Sequence, residues 1–256
     1  TLATHRTARS ITAFGIPGPT LKPRFTGRTC ALGPFRDTPP LSLATPLRQR
    51  FYARDARAVA ADLIGCRLVH RLPDGMRLVV RLVEVEAYMG DGSDPASHTH
   101  VGPTPRNRVM FGPAGRLYAY RSYGIHTCVN VVCGRPGEGA AVLLRAAEPL
   151  EGVARMRALR GLAAGARPAA LTSGPGRLAQ ALGLELADDG RSLLRGPLTL
   201  HAREPHQDPP RVVRGPRVGI TKAVDRPDRF VDADSALVSP FRPVRRARRP
   251  RTAGPG

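Results

Sequence analysis

Tryptophan is absent from this 256-residue chain, and aromatic residues make up only 5% of it. Lysine is nearly absent too: Lys22 and Lys222 stand against 38 arginines. A guanidinium does not give up its proton, so chemistry through a Schiff base has almost no candidate nucleophile. Cysteine is sparse, and Cys30, Cys66, Cys128 and Cys133 form no CxxC pair and no dense framework. They read as reduced thiols, mostly buried. No run approaches the roughly eighteen apolar residues that a membrane helix needs. No charged–apolar–cleavage pattern opens the chain, so the expectation is a cytoplasmic location without membrane attachment. Acidic residues are outnumbered two to one, 20 against 40.

What the chain does have is basic charge, unevenly spread within a net +20. Residues 1–50 hold eight basic residues and one acidic, and residues 240–256 hold six arginines and no acid. The middle, 51–239, holds 26 basic and 19 acidic. A polyanionic partner is the natural reading, because neutralising phosphates releases counterions. A soluble protein biased toward arginine is the plain alternative, and charge alone does not separate the two. Residues 1–50 are rich in Thr, Pro, Gly and Arg without periodicity, and read as a disordered or loosely attached extension. Residues 240–256 read as a basic tail able to add non-specific DNA affinity, or equally as a solvated end.

The segment 51–239 is long enough for one substantial domain. Asp55 to Ile64 reads as a helix, with Val59, Ala60, Leu63 and Ile64 on one face and Gly65 as its stop. Cys66–Arg71 and Met76–Tyr88 read as strands around a Pro73-Asp74-Gly75 turn. Alternation puts Val83, Val85 and Ala87 on one face and Glu84, Glu86 and Tyr88 on the other. Arg116–Tyr120 and Ile125–Cys133 read as a hairpin turning near Tyr123-Gly124. Ala141–Ala146 reads as a further strand and Leu150–Arg160 as a helix. Ser173 is expected to cap a helix with Pro175 in its first turn. Arg217–Lys222 reads as a last short strand. Central strands with helices around them indicate an α+β domain.

Glu84 and Glu86 inside a β-branched run are unusual, since a carboxylate there must be paired or open to a cleft. A solvated face with arginine partners is the competing explanation. Downstream, Thr104-Pro105-Arg106-Asn107-Arg108 is compact, polar and basic, after a loop containing His98 and His100. Those two histidines lack a Cys or acid spaced to complete a metal site. Three of the five tyrosines fall in Tyr118–Tyr123. Tyrosines beside arginines suit stacking on bases, or else packing of a hairpin; a tyrosine beside glycine at a turn is a poor core residue.

Taken in order, these segments resemble the alkyladenine (3-methyladenine) DNA glycosylase family. The resemblance rests on Val83–Tyr88, Thr104–Arg108, Leu117–Tyr120, Tyr123-Gly124, Asn130, Val142–Ala146, Glu148–Gly152, Ser173–Pro175 and Arg217–Ile220. It runs from about Phe51 to Ser239. It implies one mixed domain with a central curved antiparallel sheet, surrounding helices and a protruding hairpin. It implies hydrolysis of the bond between a damaged purine and its sugar in double-stranded DNA, by a monomer without cofactor or metal. Glu86 is then the base that activates water, with Arg145 and the Val218 carbonyl holding that water. Tyr88 and Tyr120 sandwich the flipped base, His98 meets its edge, and Asn130 screens its exocyclic group. Tyr123 enters the duplex, and Arg106 and Arg108 meet the DNA backbone. The lysine scarcity agrees with hydrolysis without strand cleavage. Asp228 stands where the family commonly has Trp, and Arg121-Ser122 and His126 differ from its usual apolar or aromatic hairpin residues. The competing readings are a non-catalytic nucleic-acid-binding module of the same fold, and a lyase acting through Lys222.

Overall fold

The computed structural model describes residues 41–204 and 208–240, which fall in one compact unit. Short helix α1 (Gln49–Tyr52) leads into α2 (Ala56–Leu63). Asp55 caps α2 by accepting from the amides of Arg57 and Ala58 at 2.8 and 3.2 Å. Val59, Ala60, Leu63 and Ile64 are all fully buried, as the helical spacing requires. Strands β1 (Arg67–Arg71) and β2 (Arg77–Tyr88) follow, then a 3₁₀ turn at Arg108–Phe111. The hairpin is β3 (Leu117–Ser122) and β4 (His126–Cys133). Its turn holds Tyr123 at φ 49° and Gly124 at φ 72°, the sign pattern of a type I′ turn, which glycine accommodates at the second position without strain.

The long strand β5 (Ala140–Glu151) continues five residues beyond the sequence expectation, so α3 (Val153–Leu159) begins later than Leu150. Gly152 makes the switch at φ 75°; a Cβ there would lie 2.7 Å from the Arg77 carbonyl oxygen. Helices α4 (Pro168–Thr172) and α5 (Pro175–Ala181) complete the helical layer, followed by β6 (Leu198–His201), β7 (Val212–Gly215) and β8 (Arg229–Asp232). Gly174, not Ser173, takes the N-cap position of α5, while Ser173 bridges to Ala146. Arg217–Lys222 is an irregular loop rather than a strand.

The strands form one curled antiparallel sheet in the order β3-β4-β5-β2-β1-β6. One edge of β2 pairs with β5 throughout; the other pairs first with β1 and then with β8. The structure is therefore the α+β domain that the sequence indicates, with the hairpin tip protruding: Tyr123 is 85% exposed. The stretch 41–50, assigned by sequence to the extension, lies against β6 through the Leu47 amide and the Leu200 carbonyl. Residues 1–40 and nearly all of the basic tail fall outside the described residues.

Two irregularities in the β2–β5 ladder decide where the site lies. Val83 is an extra residue on β2, between the Leu82–Ala147 and Glu84–Ala146 pairs. Arg145 is an extra residue on β5, between Glu84–Ala146 and Val85–Leu144. Each shift swaps which residues face the helical core. Leu78, Val80 and Leu82 point there before the shift, Val85 and Ala87 after it. Val83 thus does not share the core-facing role of Val85 and Ala87 that strict alternation assigns to it. Bulges re-aim side chains in this way, and here they turn Glu84, Glu86, Tyr88 and Arg145 to the face opposite the helical core.

Candidate active site

Glu86 lies on that face and is fully buried. The Val218 amide donates to its Oε1 at 2.7 Å and the Tyr88 hydroxyl to its Oε2 at 3.0 Å. Arg145 Nη1 donates to Oε2 at 3.3 Å, with Nε also 3.3 Å from Oε1. Burial pushes the Glu86 carboxyl above its ordinary pKa; Arg145, the Val218 amide and the Tyr88 hydroxyl pull it back, Glu84 pushes it up again, and the net is upward. A carboxylate with raised proton affinity that keeps oriented donors has the properties of a general base.

Glu84 is also fully buried, so a solvated face explains neither carboxylate. It accepts from Arg145 Nε at 2.9 Å and Arg229 Nε at 2.8 Å. The Ser239 amide adds a bond at 2.6 Å, and the Ser239 hydroxyl reaches both oxygens at 2.6 and 2.7 Å. Burial pushes this carboxyl up, but Arg145, Arg229 and Ser239 outweigh it and hold its pKa below the ordinary value. Two carboxylates two residues apart on one strand thus shift in opposite directions.

Beside Glu86 a cavity of about 420 Å³ opens, lined by Tyr88, His98, Tyr120, Asn130, Arg145 and Val218. The family resemblance assigned roles to these six, and Arg106 and Tyr123 stand at the same cavity, whose wall also includes Met110, Tyr118, Cys128 and Leu143. The lining is aromatic with a few oriented polar groups, the composition of a site for a flat ring. Tyr120 stacks on Tyr118 with centroids 5.6 Å apart, and His98 meets the Tyr120 ring edge-on at 4.5 Å. His98 Nδ1 lies 3.0 Å from the Tyr118 hydroxyl, and burial, reinforced by Arg106, lowers its pKa toward the neutral imidazole. Burial raises the Tyr118 hydroxyl to about 12. Asn130 donates to the Tyr118 carbonyl at 3.2 Å. His98 and His100 do not converge, since His100 Nδ1 sits 3.0 Å from the Gly92 carbonyl.

Arg106 is exposed, donating to the Arg121 carbonyl at 3.0 Å with its guanidinium 5.8 Å from the Tyr120 ring centre. Arg108 is exposed at the start of the 3₁₀ turn and is not part of the cavity wall. Lys222 is exposed and likewise outside that wall. Asp228, at the position that departs from the resembled family's usual Trp, is fully buried. It accepts from Arg57 Nε at 2.7 Å and Arg226 Nε at 3.0 Å, and its carbonyl accepts from the Ala87 amide at 2.8 Å.

Several residues that support the site had no role assigned from the sequence. Asp94 and Arg217 form a fully buried two-pronged ion pair at 2.6 and 2.8 Å. The same guanidinium donates to the Ala87 carbonyl and covers the Tyr88 ring at 4.5 Å. This pair fixes the loop that delivers the Val218 amide to Glu86, and leaves the opposite face of Tyr88 toward the cavity. Asn107 braces the loop that carries His98, donating to the carbonyls of His98 and Gly102 at 2.8 and 3.0 Å. Asp94 and Arg217 lie 123 positions apart, so only the fold brings them together.

The sequence profile of the methylpurine-DNA glycosylase family matches residues 50–236. A protein of Rhodopseudomonas palustris named "Putative 3-methyladenine DNA glycosylase" is 48% identical over 86% of this chain and 96% of its own length. A protein of the same name from Methanoculleus marisnigri is 52% identical over 74% of this chain and 96% of its own. Another from Bradyrhizobium diazoefficiens is 47% identical over 82% of this chain and 99% of its own.

Proposed function

The chain belongs to the methylpurine-DNA glycosylase family, and on that premise we propose that it flips alkylated or deaminated purines out of duplex DNA and hydrolyses their glycosidic bond with water activated by Glu86. It is a DNA glycosylase, a hydrolase of DNA repair. The observation that carries the finer reading is Glu86 itself. Its carboxylate is held by Arg145, Tyr88 and the Val218 amide, all three of which belong to the wall of an aromatic cavity.

A base inside a duplex is out of reach, so it must be extruded at a cost on the order of a few kcal/mol, least for a poorly paired lesion. Tyr123, at positive φ on an exposed hairpin tip, fills the gap that the nucleotide leaves. The free face of Tyr88 and the Tyr120 ring hold the extruded base. Their electron-rich faces favour a cationic alkylpurine, by roughly 0.5–2 kcal/mol per contact. Asn130 and His98 supply polar contacts at the edge.

Arrival of the base and a water displaces the Tyr88 hydroxyl from Glu86 Oε2 and opens that oxygen. Glu86 takes a proton from water as the water oxygen bonds to the sugar C1′. The C1′–N bond breaks with its electrons passing to the base. An alkylated cationic base leaves neutral, and Glu86 also stabilises the positive charge that builds on the sugar. The Val218 amide fixes the carboxylate, while its carbonyl and Arg145 hold the water. No lysine of the described residues lines the cavity, which supports hydrolysis without strand cleavage. The protein acts as a monomer on cytoplasmic, nucleoid DNA.

The test is a set of duplexes each carrying one 3-methyladenine, ethenoadenine or hypoxanthine. The expected outcome is free base released with the strand left intact until alkali is added. Nicking without alkali, with an adduct trapped by borohydride, would overturn the hydrolytic reading in favour of a lyase.

A further inference from the structure

Arg145 is shared between two carboxylates, and the sharing is unequal. Its Nε is 2.9 Å from Glu84 but 3.3 Å from Glu86, and its Nη1 reaches Glu86 only at 3.3 Å. A guanidinium and a carboxylate left to themselves close a two-pronged pair with both bonds near 2.8 Å, and such a pair holds the carboxylate firmly ionised and weakly basic. Glu86 is spared that arrangement. Glu84 is itself saturated by Arg229 and by both donors of Ser239, which pin it in place to receive the Arg145 Nε. Arg145 stands where β5 has its extra residue, with Glu84 next to the extra residue of β2, so the ladder defect serves this three-way contact.

We infer that Glu84 is a positioning residue for catalysis: by engaging Arg145 through Nε, it keeps that guanidinium from closing on Glu86 and so preserves the basicity of the group that activates water. This rests on Glu86 being the general base. The charged and titratable groups around Glu86 are few. Arg145 approaches from β5, Glu84 and Tyr88 from β2, the Val218 amide with Arg217 behind it from the 217–222 loop, and Tyr120 from β3. Arg229 from β8 turns its guanidinium to Glu84. Of these, Glu84 is the one whose removal both frees Arg145 and deletes a like charge. Both changes stabilise ionised Glu86, so both lower its pKa.

The experiment is the pH dependence of single-turnover release of 7-methylguanine from duplex DNA. That base is already cationic and leaves without protonation, so the acid limb follows the group that must lose a proton. In Glu84→Gln the limb is expected to move to lower pH by about one unit, with a lower plateau rate from the weaker base. Glu84→Asp keeps the charge and is expected to return the limb toward its original position. Ser239→Ala removes one donor from Glu84, draws Arg145 toward Glu84, and is expected to move the limb the opposite way. An acid limb unmoved in Glu84→Gln, with the variant folded by its melting curve, would overturn the inference. Should Glu84→Gln not fold, an unmoved limb in Ser239→Ala would overturn it alone. Glu86→Gln run alongside separates the two layers. Continued base release there would defeat the reading of Glu86 as base, whereas a dead Glu86→Gln with unmoved limbs elsewhere would defeat only the role of Glu84.

Discussion

At the scale of single residues, the proposed base and the proposed inserting side chain lie in opposite surroundings. Glu86 is fully buried while Tyr123 is 85% exposed. An aromatic ring held out in water at positive φ has no packing to justify it, and a polyanionic duplex with an opened stack is a partner that would. Tyr123→Ala is expected to weaken binding to lesion-containing duplex severalfold, and binding to the same lesion in a single strand much less. Competition binding on the two DNAs checks this, and equal losses on both would argue against insertion. The pairing of Glu86 with Tyr88 was legible in the sequence, because a strand puts i and i+2 on one face. The difference between Glu84 and Glu86 was not legible. It depends on Arg229 and Ser239, residues 145 and 155 positions away.

At the scale of elements, the catalytic geometry depends on ladder defects and buried ion pairs. Strict alternation predicted the core side of β2 correctly for Val85 and Ala87 and wrongly for Val83, because an unpaired extra residue leaves no mark in an apolar run. Strands β7 and β8 were missed for another reason: four residues each are too few for alternation to show. The loop 217–222 resembles a strand in its Val-Gly-Ile pattern, yet its amide at Val218 is spent on a side chain, not on a neighbouring strand. What holds that loop is Asp94 with Arg217. Burial raises the Asp94 carboxyl, but Arg217 outweighs it and the folded pKa lies below the ordinary 3.8. A depressed folded pKa means that this stability is present above the unfolded value and lost as pH falls through the folded one. Asp94→Asn leaves a buried guanidinium without its counter-charge, at a cost of about 3–5 kcal/mol. Melting is expected to fall on the order of 10 °C at neutral pH, with the gap to wild type narrowing as pH drops below 3.8. A gap that persists unchanged into acid would mean that the ion pair is not what holds the loop.

At the scale of the whole molecule, the α+β class followed from central strands flanked by helical spacings, and the structure bears it out. Of the residues that line the cavity, Tyr88, His98, Arg106, Tyr120, Tyr123, Asn130, Arg145 and Val218 were given roles through the family resemblance, while Ala96, Met110, Cys128 and Leu143 were not, because small and apolar wall residues look like core. Among the residues that brace them, Asn107 and Arg217 fell inside quoted segments without a role, and Asp94 and Ser239 were not singled out, since all four are ordinary types whose value appears only when distant segments meet. The proposed chemistry turns on one carboxylate placed behind an aromatic cavity. Its most direct test is Glu86→Gln against wild type, comparing affinity for a lesion-containing duplex with single-turnover base release on that duplex. The expected result is affinity within a few-fold of wild type and release lost by at least about a thousandfold, a general base and a stabilising charge being removed together. Release near the wild-type rate from a folded, lesion-binding Glu86→Gln would contradict it.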